Sequence, residues 1–349
     1  MGRHVAGENP ELDRVVDDAC AAIGREIEAL AVPGLAGVVL GGGYGRGEGG
    51  AKECKVESVK CKVEGMSAVK CRLSNDLDFF AITEDGASEG HVVPCIASAL
   101  EPISRKWTEK LGIDVDFTVR TPWRIRHDEQ RIMVQELLRG YFDVAGKRGD
   151  ELFAAVERRP AEDIPWGEAA RLMMNRGMGL LFAKCKVESV KCKVDGASAV
   201  GCRMSGADRD FVSRNINKCI LGAGDARLVA RHGYRWRALD RADALDDALY
   251  RTAVEWKFRP REDAVCDWET AREVWLGACD EVMAAGSGSE ALGRSIRQAA
   301  RWVARRRTAG ELRSFGQDCT VRVLRGVERA IRARTGISPS LRRDWEVFN

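Results

Sequence analysis

Strand-type runs occur only in the first third of this chain, and that asymmetry restricts its fold more than any other feature. LAGVVL at the start of 35–48, SNDLDFFAIT at 74–83 and LGIDVDFTVR at 111–120 are short, apolar and rich in β-branched or aromatic residues. From about residue 124 onward apolar residues recur at helical spacing, in segments 127–144, 165–184, 208–232, 240–256, 267–284, 290–308 and 319–335. Residues 11–31 and 91–111 share that spacing and supply helices to the strand region. The expected fold is α+β: an N-terminal mixed β-sheet with flanking helices over 1–123, then a C-terminal helical bundle over 124–349. A chain of 349 residues is long enough for two such domains.

One segment occurs twice. CKVESVKCKVEGMSAVKCR at 54–72 returns almost unchanged as CKVESVKCKVDGASAVGCR at 185–203. Two isolated copies cannot stack into a solenoid, which needs adjacent units. They read as insertions in surface loops, since loop closure costs entropy only as the logarithm of length. Alternation of Cys54, Val56, Val59, Cys61 and Val63 with polar residues points to a short hairpin within the first copy. Six of the twelve cysteines lie in the copies, at spacings that lack the paired CxxC of zinc sites.

Chemistry concentrates on either side of the first copy. LAGVVLGGGYGRGE (35–48) is a strand running into glycines and a helix start. Gly41, Gly42, Gly43 and Gly45 let backbone N–H groups approach phosphate oxygens, and Arg46 adds a charged donor. Asp76 and Asp78 are two apart on a strand and so share a face. Clustered carboxylates of this kind call for a cation, and magnesium takes hard oxygen ligands while bridging substrate phosphates. Asp114 and Asp116 form a second such pair on the next strand.

At these residues the chain resembles the DNA polymerase β-like nucleotidyltransferases, whose motif is a glycine pair followed by D-x-D. Gly42-Gly43 and Asp76-Leu77-Asp78 fit, although 32 residues separate Gly43 from Asp76. Removing Ala51–Arg72 leaves ten, which is inside the family's range. GGYGRGE (42–48) is similar to the nitrogen-regulatory protein uridylyltransferases and to small nucleotidyltransferase antitoxins, with Gly43 where many members have serine. No H-D phosphohydrolase pair accompanies it. The resemblance implies that 1–123 is a catalytic domain using ATP or another NTP, with two Mg2+ ions (or Mn2+) held by Asp76, Asp78 and a third carboxylate, Asp116 or Asp114. Asp116 is favoured as that third acid and as general base. Gly42, Gly43, Tyr44 and Arg46 would bind the triphosphate. Lys218, on a helix with Asp225 and Arg214, is the candidate cation from the helical domain. The implied reaction moves an NMP from an NTP to a hydroxyl or phosphate on a protein, a small molecule or an RNA end, releasing pyrophosphate. The alternative is a catalytically inactive nucleotide-sensing or interaction protein on the same fold.

Charge is uneven along the chain. Residues 294–343 hold fourteen arginines against three acids, a net +11, which leaves −8 elsewhere beside an overall +3. That stretch would suit a polyanion or an acidic partner. Trp123, Trp166 and Trp236 are candidate base-stacking residues, with core packing as the default. The four histidines do not cluster, which argues against a zinc hydrolase. No apolar run reaches membrane-spanning length, and the first residues carry no apolar signal core. The expected location is therefore cytoplasmic, without membrane attachment.

Overall fold

The computed structural model describes residues 2–53, 71–87, 89–195, 204–286 and 319–348. The chain forms two compact units, one of Met1–Pro160 with Lys257–Pro260, the other of Ala161–Trp256 with Arg261–Asn349. The fold is α+β; among the described residues the sheet is confined to the first unit and helices make up the second.

Helix α1 (Pro10–Leu30) starts where the Asn9 side chain accepts the Leu12 N–H at 3.1 Å and Pro10 occupies the first turn. Its buried stripe of Leu12, Val16, Ala19, Ile23 and Ile27 faces the sheet core. Strand β1 (Leu35–Leu40) leads into the single helical turn α2 (Gly42–Gly45). A small antiparallel pair, β2 (Ala51–Glu53) with β3 (Cys71–Leu73), precedes β4 (Leu77–Thr83). Helix α3 (Val92–Leu111), closed by Gly112 at φ +68°, crosses over to β5 (Val115–Arg120), which runs parallel to β4. Two short helices, α4 (Pro122–His127) and α5 (Ile132–Leu137), lead to β6 (Phe142–Gly146) and the single turn α6 (Gly149–Leu152).

The main sheet runs in the order β5-β4-β1-β6, with β1 antiparallel to both of its neighbours. Val38, Leu40, Phe79, Ala81 and Val115 pack beneath α1 and α3. Val39, Phe80 and Ile82 alternate with them and meet Ile125, Val134, Leu137 and Phe153 on the other face. Asp78 shares the Phe80 face by the period-two rule, and Asp116 lies beside it.

Strand β6 departs from the expectation of helix over 127–144. Its pairing with β1 carries the sheet unit past residue 123 to Pro160. Phe142, Val144 and Ala145 also join the α1 side of the core. A five-residue strand gains its ladder only from the edge that β1 offers, and local spacing is blind to that partner.

The second unit contains α7 (Trp166–Asp195), α8 (Gly206–Ala230), α9 (Ala238–Leu245), most of α10 (Ala248–Phe258), α11 (Trp268–Ala285), α12 (Cys319–Arg332) and α13 (Pro339–Phe348). Trp275 of α11 is fully buried, and its indole N–H donates to the Met173 carbonyl at 2.9 Å. A Cβ on Gly177 would come within 2.7 Å of the Trp275 ring, so glycine permits that helix contact. Cys185–Asp195, the first part of the second repeat copy, continues α7 as helix rather than forming a surface loop. The hairpin expected at 54–63 and the helix expected at 290–308 lie outside the described residues.

Candidate active site

Strand β1 ends on the glycine turn. The Gly41 N–H donates to the Asp78 carbonyl at 2.8 Å, which ties the turn to the start of β4. Gly42 follows at φ +61°, a left-handed conformation that side chains disfavour. A Cβ there would lie 2.1 Å from Asp78 Oδ2, so the carboxylate occupies the space that any other residue would fill. Gly43 is different. Its nearest neighbour would be the Glu48 carbonyl oxygen at 3.4 Å, an ordinary contact. The expected helix start is only the one turn Gly42–Gly45, closed by Gly45 N–H to the Gly41 carbonyl at 2.8 Å. Its first amides have no intrahelical acceptor, but the dipole behind them is that of a single turn.

The acids converge from two adjacent strands. Asp78 and Asp116 are register partners across the parallel β4–β5 ladder, and the Leu77 N–H donates to the Asp114 carbonyl at 2.9 Å. Asp76 lies in the bend before β4 and is half-buried, while Asp114 and Asp116 are exposed. The Asp116 carboxyl is pushed above its usual value, first by partial burial, then by the charges of Asp76 and Asp114. These carboxylates are hard oxygen donors of the kind a divalent cation takes. Among the described residues, no three His, Cys, Asp or Glu side chains stand together as a ready-made ligand set. Like charges hold bare carboxylates apart, and a cation removes that repulsion. The donor chemistry therefore fits a magnesium-type ion, although the ligand distances are not preset.

Two residues expected to touch the triphosphate have other work. Tyr44 is fully buried. Its hydroxyl donates to the Gly50 carbonyl at 2.8 Å and accepts the Ser74 and Asn75 N–H groups at 3.2 and 3.4 Å. Burial raises the phenol to about 12. Tyr44 thus fastens the glycine turn to the loop that delivers Asp76 and to the base of the β2–β3 ladder. Arg46 faces inward as well, with one terminal nitrogen 3.1 Å from Glu136 and the other 3.6 Å from Glu48.

Comparison with protein-family models, curated proteins and solved structures finds no match for this chain.

Of the residues singled out from sequence, Gly42, Gly43, Asp76, Asp78, Asp114 and Asp116 lie in the first unit, where Asp78 meets both Gly42 and Asp116. Lys218 is an exposed residue of α8 in the second unit, where its neighbour Asp225 is committed to Arg241 at 2.9 Å and to the Tyr250 hydroxyl at 2.5 Å. Three residues that local reasoning did not pick out surround the glycine turn: Glu48, Glu136 and Lys257. Glu48 lies two residues after Arg46 in the motif and so was within reach. No local signal marks Lys257. Trp123 is 53% exposed and stacks on His127 at 4.8 Å, so core packing does not account for it. No helix among the described residues is long and apolar enough to cross a membrane.

Proposed function

We propose that the first unit is a divalent-metal-dependent nucleotidyltransferase, moving an NMP from an NTP to a hydroxyl or phosphate acceptor with release of pyrophosphate. One observation carries this reading: the left-handed Gly42 leaves its side-chain space to Asp78, which stands in register with Asp116. The turn and a pair of carboxylates are thereby side by side, which supports a reading with phosphate at the one and metal at the other.

Asp76, Asp78 and Asp116, with Asp114 beside them, would hold the two Mg2+ ions, and Mn2+ could replace them. Bound there, such ions would supply charge neutralisation on the triphosphate and acidify the acceptor group. Gly43, with room at its Cβ position, would admit the phosphates to the turn, while Gly42 leaves room for the Asp78 carboxylate that would hold the metal beside them. Asp116, whose carboxyl is raised, takes the acceptor's proton as general base. Tyr44 holds the turn and the Asp76 loop in one piece. The acceptor is a protein, a small molecule or an RNA end. An acidic or polyanionic partner would meet the basic stretch 294–343, of which Arg332, Arg334 and Arg342 already pair with acids of the second unit.

The test is incubation of the full chain with each labelled NTP, Mg2+ and cell lysate, scoring label transfer and pyrophosphate. Asp76→Asn and Asp78→Asn are expected to lower transfer by at least about a hundredfold while keeping wild-type circular dichroism. Turnover at the wild-type rate in either variant would falsify the assignment. Tight Mg2+-dependent NTP binding without pyrophosphate release would favour the nucleotide-sensing reading instead.

A further inference from the structure

Lys257 follows Glu48 by 209 residues, yet the short segment Lys257–Pro260 belongs to the first unit. Its ammonium donates to the Glu48 carboxylate at 3.0 Å, and that carboxylate is 1% exposed. Glu48 faces Arg46 at 3.6 Å, and Arg46 faces Glu136 at 3.1 Å. Lys257, Glu48, Arg46 and Glu136 therefore alternate in sign along one largely buried chain of charges. The backbone closes on the same spot, because a Cβ on Gly50 would lie 2.6 Å from the Lys257 carbonyl oxygen. Glu48 also holds the turn directly, its N–H donating to the Gly43 carbonyl at 2.8 Å.

We infer that Lys257 is a positioning residue: by neutralising buried Glu48 it keeps the Gly42–Glu48 turn in the shape that presents Gly42 to Asp78. The inference rests on the reading of that turn as the NTP site. A carboxylate this far from water cannot lose a cation without cost. It must gain a proton, find another counter-charge or swing toward solvent. Finding another counter-charge or swinging toward solvent moves Glu48, and the Glu48 N–H takes Gly43 with it. Lys257 thus acts through Glu48 and makes no contact with the nucleotide, which separates it from a phosphate-binding lysine. Glu136 stands at the far end of the chain, paired with Arg46 at 3.1 Å.

The experiment uses the full chain as wild type, Lys257→Met, Lys257→Arg and the double variant Glu48→Gln/Lys257→Met. Two readouts are taken: amide hydrogen exchange at Gly45 and Glu48, and affinity for ATP with magnesium. Both amides are hydrogen-bonded within the turn. Lys257→Met is expected to speed exchange at these two amides by about tenfold or more and to weaken ATP binding similarly. Exchange at Leu77, bonded across β4–β5, should stay at the wild-type rate. Lys257→Arg keeps the charge and should keep both readouts. The double variant removes the carboxylate that Lys257 neutralises and should restore slow exchange and ATP binding. Unchanged exchange at Gly45 and Glu48 in Lys257→Met overturns the proposal, as does an equal acceleration at Leu77. Restored exchange without restored ATP binding overturns it too, because Lys257 would then act on the nucleotide itself. If Lys257→Met fails to fold, recovery of folding in the double variant supports the inference and continued misfolding sinks it. A wild type that binds no ATP refutes the ATP-site reading alone, and the exchange rates still decide the role of Lys257.

Discussion

Gly42 and Gly43 are neighbours of one residue type with opposite tolerances. At Gly42 a side chain meets both a positive φ and the Asp78 carboxylate. Gly42→Val should therefore destabilise the fold by about 2–4 kcal/mol, combining left-handed strain with overpacking. It should also abolish NTP binding, since Asp78 must move. Gly43→Ser has room beside the Glu48 carbonyl and should stay within about 0.5 kcal/mol of wild type. Denaturant midpoints and NTP affinity for the two variants check the contrast, and similar losses in both would refute it. Asp116 yields a pH signature. Its folded value is raised, so the fold favours the protonated form, and that stability is lost as pH rises through the raised value. Asp116→Asn should therefore gain stability over wild type at neutral pH in EDTA, and the gain should vanish below the ordinary carboxylate value of about 3.9. A gain independent of pH would show that charge is not its source.

The elements around the first repeat show which part of it is dispensable. The sequence reading treats all of Ala51–Arg72 as a passenger. In the fold, Ala51–Glu53 and Cys71–Leu73 form an antiparallel ladder, with Glu53 opposite Cys71. Leu73 is buried, and Ala51 and Cys71 pack against the main core. The Tyr44 hydroxyl binds the Gly50 carbonyl and the Ser74 and Asn75 amides at the base of that ladder. Replacing 54–70 with Asn-Gly, a turn suited to a two-residue hairpin, should leave stability within about 1 kcal/mol and NTP binding unchanged. Replacing the whole of Ala51–Arg72 should cost more, because it strips apolar contacts and one whole strand. Equal stability of the two deletions, measured by thermal melts, would show that the ladder contributes nothing. Tyr44→Phe, which keeps the ring but strands buried polar backbone groups, should cost about 1–3 kcal/mol.

On the scale of the whole molecule, the first unit is discontinuous in sequence, because its compact set of contacts includes Lys257–Pro260. A fragment ending at Pro160 would retain the sheet but lose the lysine beside Glu48. Glu48→Gln should then destabilise the full chain by more than it destabilises the 1–160 fragment, because only the full chain loses the Lys257 pair as well as the Arg46 contact. Urea midpoints of the four proteins test this, and an equal loss in both would refute it. Much of the architecture was legible beforehand. Helix spacing located α1, α3, α8 and α11, and the β-type run at 74–83 placed Asp78 on a strand. Those signals are local, carried by periods of 3.6 and 2 residues within one element. The glycines and the acids could likewise be paired across the repeat because spacing along the chain is itself sequence. What the sequence left open depends on partners far along the chain. Strand β6 exists because β1 has an edge to pair, Tyr44 and Arg46 turn inward because buried carbonyls and carboxylates await them, and Lys257 joins the first unit beside Glu48. Each of those outcomes is decided by which groups must be satisfied once water is excluded, and only the packed chain determines which groups those are.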